Sequence, residues 1–301
     1  DKNKTNILFK STIALKNTNT FSIPEGIKSY STDISGMTNI KKIIIPTSLT
    51  NIDPNKLPKS IESIEIKNGN KTLLYENGFL YNSSQTLIMC CSKEKDITVP
   101  KGIKTIGALS FKQATNVENV VFPDSLVSIQ DRVFEGASNI KRIDIGKNVN
   151  NISPTFKRRN YNGVVNIDKE NTNYVIENNI LYKLNNGKKE RLVAVLTEIT
   201  NNIEISKEVN IIGTNAFLGQ KSMTQIIIPK GVTSIEGGAF SECSKLEKIE
   251  IPKTVTDIAN TAFLAESFNL SEIIIHNKEN SITGAPWGAA KGMKVVQWVG
   301  K

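Results

Sequence analysis

The chain has 301 residues, of which 39% are hydrophobic and 22% charged, the make-up of a globular protein. No run approaches the roughly 18 apolar residues of a membrane span, so no membrane insertion is expected within this segment. The 38 Lys and Arg exceed the 29 Asp and Glu to give +9, which suits solubility or an anionic partner. Residues 1–20 are polar and read as an N-terminal cap, with Ile7–Phe9 and Ile13–Leu15 as candidate capping strands. The first period-2 strand is Phe21-Ser-Ile23, followed by Ile43-Ile-Ile45 and Ile64-Glu-Ile66. The stretch around Asp53-Pro54 and Leu57-Pro58 lacks an Ala-Phe pair and predicts a tighter turn.

An insertion near 70–92 then breaks the period. Leu73-Leu-Tyr75, Phe79-Leu-Tyr81 and Thr86-Leu-Ile-Met89 are short apolar runs, and Asn77-Gly78 is a hairpin-turn signal because both residues tolerate positive φ. Further strands follow at Ile97-Thr-Val99, Val120-Val-Phe122, Ile143-Asp-Ile145 and Val165-Asn-Ile167, with Phe111, Phe134 and Phe156 as a spine. The insertion design returns near 171–197, where Glu177-Asn-Asn-Ile-Leu-Tyr182 aligns with Glu76-Asn-Gly-Phe-Leu-Tyr81. Ile203-Glu-Ile205 is the next expected strand.

From Ile212 one pattern is written three times. Ile212-Gly-Thr-Asn-Ala-Phe217 leads to Ile226-Ile-Ile-Pro229, Ile235-Glu-Gly-Gly-Ala-Phe240 to Ile249-Glu-Ile-Pro252, and Ile258-Ala-Asn-Thr-Ala-Phe263 to Ile273-Ile-Ile275. The period of about 23 residues belongs to a solenoid in which each repeat is one turn of the coil. One unit cannot bury its own hydrophobes, so stacked neighbours supply the other wall of the core. The form I-x-x-x-A-F-x-x-C/A-x-x-L-x-x-I-x-I-P resembles the BspA-like class of leucine-rich repeats, whose members are surface-exposed or secreted proteins of bacteria and some protists. The expected fold is an α/β repeat solenoid dominated by β structure. It is a right-handed leucine-rich-repeat-like coil with a parallel sheet on its concave face, short helical turns opposite and two β-hairpin insertions. The solenoid spans residues 21–283 and holds about eleven strands. Residues 284–301 carry Trp287 and Trp298 and read as a C-terminal cap.

Chemistry-bearing motifs are sparse. Cys243 falls at a packing position, Cys90 and Cys91 are adjacent and ill-suited to bridge each other, and no His-Cys cluster offers a zinc site. His276 lacks a partner set out by the repeat and reads as a terminal surface residue. No serine-nucleophile elbow, phosphate loop or calcium loop occurs, so neither an enzyme, a cofactor nor a metal is expected. Asn70, Asn82, Asn151 and Asn269 open Asn-x-Ser/Thr triplets, which chance supplies in a chain so rich in Asn.

What remains is surface. The residues between the two buried hydrophobes of each strand are Ile44, Glu65, Thr98, Val121, Asp144, Asn166, Glu204, Ile227, Glu250 and Ile274, a candidate binding row. Lys157, Arg158 and Arg159, with Lys188, Lys189 and Arg191 near the turn Asn185–Gly187, form a candidate contact for an acidic polymer. No aromatic platform accompanies this charge, so nucleic acid is not expected. The resemblance implies a non-enzymatic extracellular or cell-surface binding or adhesion module, with a host or cell-surface protein or glycan as partner. The alternative is a structural spacer that displays another domain. The chain opens at Asp1 with no apolar signal core and reads as a mature chain or a piece of one.

Overall fold

The computed structural model describes residues 18–156, 163–200, 203–264 and 269–300. The chain divides into two compact units, Asp1–Asp144 with Phe156–Arg158, and Ile145–Thr155 with Arg159–Lys301. Both are β-solenoid. The Ile7–Phe9 and Ile13–Leu15 segments fall outside the described residues.

A regular turn of the coil contributes one wide strand and one strand of two residues, and each kind stacks into its own parallel sheet. In the first unit Thr20–Ser22, Lys42–Ile45 and Ser63–Ile66 pair in register, Phe21 opposite Ile43 and Ile43 opposite Ile64. Asp96–Thr98, Asn119–Val121 and Arg142–Ile145 repeat the arrangement. In the second unit Gln225–Ile227, Lys248–Ile251, Glu272–Ile275 and Val296–Trp298 form a four-stranded parallel sheet. Alternation explains the faces: Ile249, Ile251, Ile273 and Ile275 are buried while their neighbours point outward. The expected strand at Ile203–Ile205 does not form. The residue after it bonds the insertion, its Ser206 N–H donating to Tyr182 Oη at 3.2 Å.

The Ala-Phe corner closes each turn. The Phe217 N–H donates to Ala239 O, Phe240 to Ala262 O and Phe263 to Trp287 O, so each corner hangs on the one after it. The rings follow the same stack, with centroids 5.0 Å apart for Phe217–Phe240 and 5.5 Å for Phe240–Phe263. Phe111 and Phe134 meet similarly at 4.9 Å in the first unit. Helical content is smaller than expected. Among the described residues only Pro54–Lys56 and Gly292–Val295 are helical, and both are 3-10 turns. Left-handed kinks at Asn215 (φ 56°) and Glu242 (φ 60°) interrupt any right-handed helix, so the corner folds as turns. The turn at Asp53 is tight as expected, capped by Asp53 Oδ1 accepting the Asn55 N–H at 2.9 Å.

The insertions are antiparallel three-stranded meanders grafted onto the narrow sheets. Leu73–Glu76, Phe79–Asn82 and Thr86–Cys90 form the first, and Thr86–Cys90 continues in parallel to Thr105–Ile106. Tyr174–Glu177, Ile180–Asn185 and Lys188–Val195 form the second, continuing to Ile211–Ile212. Gly107 and Gly213 sit at the two junctions. A Cβ there would lie 2.5 Å from Leu87 O and 2.7 Å from Leu192 O, so only glycine lets the coil lie this close to the last meander strand. Asn70 and Asn171 open the two insertions identically. Asn171 donates to Gly146 O and Val149 O and accepts the N–H of Asn173 and Tyr174, and Asn70 does the same one insertion earlier.

All three cysteines are buried and unbridged, and burial pushes the Cys90 and Cys243 thiols up to about 12. Trp287 is fully buried and meets Trp298 edge-on at 6.3 Å. Val296–Trp298 pairs in parallel with Glu272–Ile275, so this segment extends the sheet as a strand.

Candidate binding face

The outward positions of the wide sheets stack as the strand register dictates. Ser22, Ile44 and Glu65 form one ladder, Thr98, Val121 and Asp144 a second, and Ile227, Glu250, Ile274 and Gln297 a third. Asn166 lies half-buried on Val164–Ile167. Glu204 is exposed but belongs to no strand, so it joins no ladder. Ile227 is 71% exposed and Val121 43%, the apolar extremes of the row, whereas Ile44 and Ile274 are half-buried beside their neighbours.

Charge on these faces is largely paired. Lys42 reaches Glu65 at 2.7 Å, Arg142 reaches Asp144 at 2.9 Å, and Lys248 reaches Glu272 at 2.8 Å. At the strand entrances Glu118 bridges Lys141 and Lys95 at 2.7 and 3.2 Å, and these two cations hold its carboxyl below the usual range. Such exposed pairs contribute little to stability, but they fix where charge sits.

Sequence reasoning missed two features of the face. His276 has a carboxylate partner: its Nε2 lies 2.8 Å from Glu250 Oε1 on the adjoining strand. The signal was available, because in a parallel ladder the residue just beyond one strand lies diagonal to the middle of its neighbour. Gln297, contributed by the final strand, donates to Glu272 at 3.2 Å and lengthens the third ladder. Among the described residues no three His, Cys, Asp or Glu converge as a metal-binding group. Nor, among them, is any helix long and apolar enough to cross a membrane.

Of the basic group, Lys157, Arg158 and Arg159 lie outside the described residues. Lys188 is exposed beside the Asn186-Gly187 turn, where both residues take positive φ. Lys189 is ion-paired with Glu177 and sits 5.8 Å above the Tyr182 ring. Arg191 contacts Glu236 at 2.6 Å. Burial pushes the Glu236 carboxyl up, but the bonds from Arg191 and Thr214 outweigh it and hold the group low.

The sequence matches the BspA type leucine-rich repeat region in six copies, over residues 5–92, 84–202 and 195–286. No curated protein matches it. Among solved structures, the pneumococcal vaccine antigen PcpA is similar at 18% identity, with 88% of this chain and 74% of that chain covered and a TM-score of 0.57. A leucine-rich repeat protein from Eubacterium ventriosum shares 20% identity over 88% of this chain and 62% of its own, with a TM-score of 0.46. A leucine-rich cell surface protein from Faecalibacterium prausnitzii shares 19% over 88% and 89%, with a TM-score of 0.45. Repeat period, stacked Ala-Phe corners and a family match across most of the sequence agree: this chain belongs to the BspA-type leucine-rich repeat family.

Proposed function

We propose that the chain is a non-enzymatic binding or adhesion module that works at the cell surface or outside the cell, using the outward face of its wide sheets. The observation that carries this reading is the third ladder. Ile227 stands exposed beside Glu250, and Ile274 and Gln297 continue the row on a rigid hydrogen-bonded frame. An exposed apolar side chain beside a carboxylate on a fixed frame suits protein recognition, where the apolar group supplies affinity and the charge sets register. Family membership supports the surface location, and the similar PcpA fold comes from a protein used as a vaccine antigen. The insertion's basic residues are a lesser contributor in this reading, since Lys189 and Arg191 already have carboxylate partners.

The test is saturable binding of the whole chain to immobilised host-surface proteins and glycans, with Ile227→Glu/Ile274→Glu as the matched variant. The module reading expects at least one surface on which the parent saturates and the double variant does not. A parent that saturates on none would favour a spacer that displays another domain.

A further inference from the structure

The two insertions share one plan and differ at one position that matters for shape. Aligning Glu76-Asn-Gly-Phe-Leu-Tyr81 with Glu177-Asn-Asn-Ile-Leu-Tyr182 sets Tyr75 against Ile176 and Leu73 against Tyr174. The preceding wide strands correspond too, Ile64 and Ile66 with Val165 and Ile167. In the first insertion Tyr75 packs against the core that includes Ile64 and Leu73. Its hydroxyl lies 3.5 Å from Cys91 Sγ and near the Ile64 main chain, so the ring spans the space between wide strand and meander. In the second insertion the tyrosine has moved. The Tyr174 hydroxyl accepts the Ile152 N–H at 3.0 Å and donates to Asn150 O at 3.3 Å. Ile176 is too short to reach where the phenol of Tyr75 reaches. A cleft of about 480 Å³ results, lined by Val165, Ile167, Ile176 and Leu184 and by the exposed Asp168 and Lys169.

A sheet edge borders the same cleft. The Leu184 N–H donates to Asn173 O at 2.7 Å, so the alternation of antiparallel pairing turns Val175 and Glu177 toward the hairpin, and Tyr174 and Ile176 away from it. The Tyr174 N–H is taken by Asn171 Oδ1 at 2.9 Å. The Ile176 N–H and C=O are left facing the edge, beyond which no described strand pairs with Tyr174–Glu177.

We propose that this cleft receives an extended peptide segment of a protein partner, which adds to the edge of Tyr174–Glu177 and seats a tyrosine side chain against Val165, Ile167 and Ile176. Edge addition gives main-chain bonds and the cleft gives selectivity, the usual division in strand-addition recognition. The occupant is read from the molecule itself, since Tyr75 shows which side chain fills the equivalent space. A saccharide fits less well. The one ring in the lining, Tyr174, is buried, and the Asn171 amide already bonds four backbone groups. Asp168 and Lys169 at the opening suit a peptide with flanking side chains of both signs. The inference rests on the binding-module reading and places one contact beside Asn166, which belongs to the outward row and also lines the cleft.

The test uses the full chain and two capped hexapeptides, Lys-Val-Tyr-Val-Glu-Thr and its Tyr→Ala counterpart, titrated while backbone amide shifts are followed. Shifts should centre on Val165–Leu184, and the tyrosine peptide should bind about tenfold or more tightly than the alanine peptide, as burial of one such ring supports. Ile176→Tyr installs the first insertion's side chain and should abolish the response while leaving the melting temperature equal or higher. Leu184→Phe is the second filling variant, should Ile176→Tyr fail to fold. Absence of shifts, equal binding of the two peptides, or full response in a folded filled variant would overturn the proposal. The broader reading fails separately: binding to a surface protein that Ile227→Glu/Ile274→Glu removes, with no peptide response, would overturn the cleft alone.

Discussion

Phe240 is touched by the turn on either side of it, and its cost when removed measures how far the turns share one core. It is fully buried, ring-stacked on Phe217 and Phe263, and held by its N–H on Ala262 O. Phe240→Ala should cost about 3–5 kcal/mol in denaturant unfolding, since transfer energy and a cavity are lost together. A loss below about 1 kcal/mol would mean that the ring is not a shared wall. Asp33 offers a prediction of the opposite kind, at the surface. It accepts the Ser35 hydroxyl at 2.6 Å and the Ser35 N–H at 3.0 Å, and these bonds, with Lys56, bring its pKa from 3.8 to about 2. A depressed carboxyl favours the folded state above its unfolded value, and that contribution is lost as pH falls from near 3.8 through about 2. Ser35→Ala should therefore raise the Asp33 pKa toward its ordinary value in a carboxyl NMR titration. An unmoved titration would deny the hydroxyl this role. Buried positions such as Phe240 were legible in the sequence because the regular turns repeat them. The Glu250–His276 pair took one further step, from the repeat to the ladder register that sets His276 diagonal to Glu250.

At the scale of elements, the wide strands and the insertions were legible for different reasons. Strands announce themselves by alternation, as in Ile249-Glu-Ile251, and the meanders by paired turn residues, as in Asn77-Gly78. The two-residue strands of the second sheet, Ser234–Ile235 among them, are too short to leave a period and appear only in the pairing. Ile203–Ile205 carries the right alternation, yet these residues form no strand. The cleft beside Val165 was equally hidden, because it arises from a tyrosine displaced by two positions between otherwise matching insertions. The junction glycines give the element-scale prediction. Gly213→Ala should destabilise by about 1–3 kcal/mol, because the new methyl meets Leu192 O at 2.7 Å and the parallel pairing of Ile211–Ile212 with the meander must shift. Exposed Gly36→Ala, where nothing lies within 4 Å and φ is not positive, is the control for replacing a glycine without crowding. If both substitutions cost the same, crowding against Leu192 is not what selects glycine.

For the whole molecule, repetition means that a turn's stability depends on having a neighbour. We propose that residues 284–301 serve as that neighbour for the last repeat. Trp287 O accepts the Phe263 N–H, and Val296–Trp298 completes the sheet beside Glu272–Ile275. A chain shortened at residue 283 should uncover Leu270 and Ile273 and self-associate, seen as a rise in mass by light scattering with a lower melting temperature. A monomeric shortened chain with unchanged melting would remove the capping role. The corner hydrogen bonds have a mechanical consequence as well. Because Phe217 hangs on Ala239, Phe240 on Ala262 and Phe263 on Trp287, tension applied along the chain loads one corner at a time. Under a steady pull the repeats from Ile212 to Ile275 should lengthen in nearly equal steps, each releasing one period of about 23 residues, or roughly 75–80 Å of extended backbone. A coil built this way should yield gradually, turn by turn, and keep the remaining turns folded while it gives.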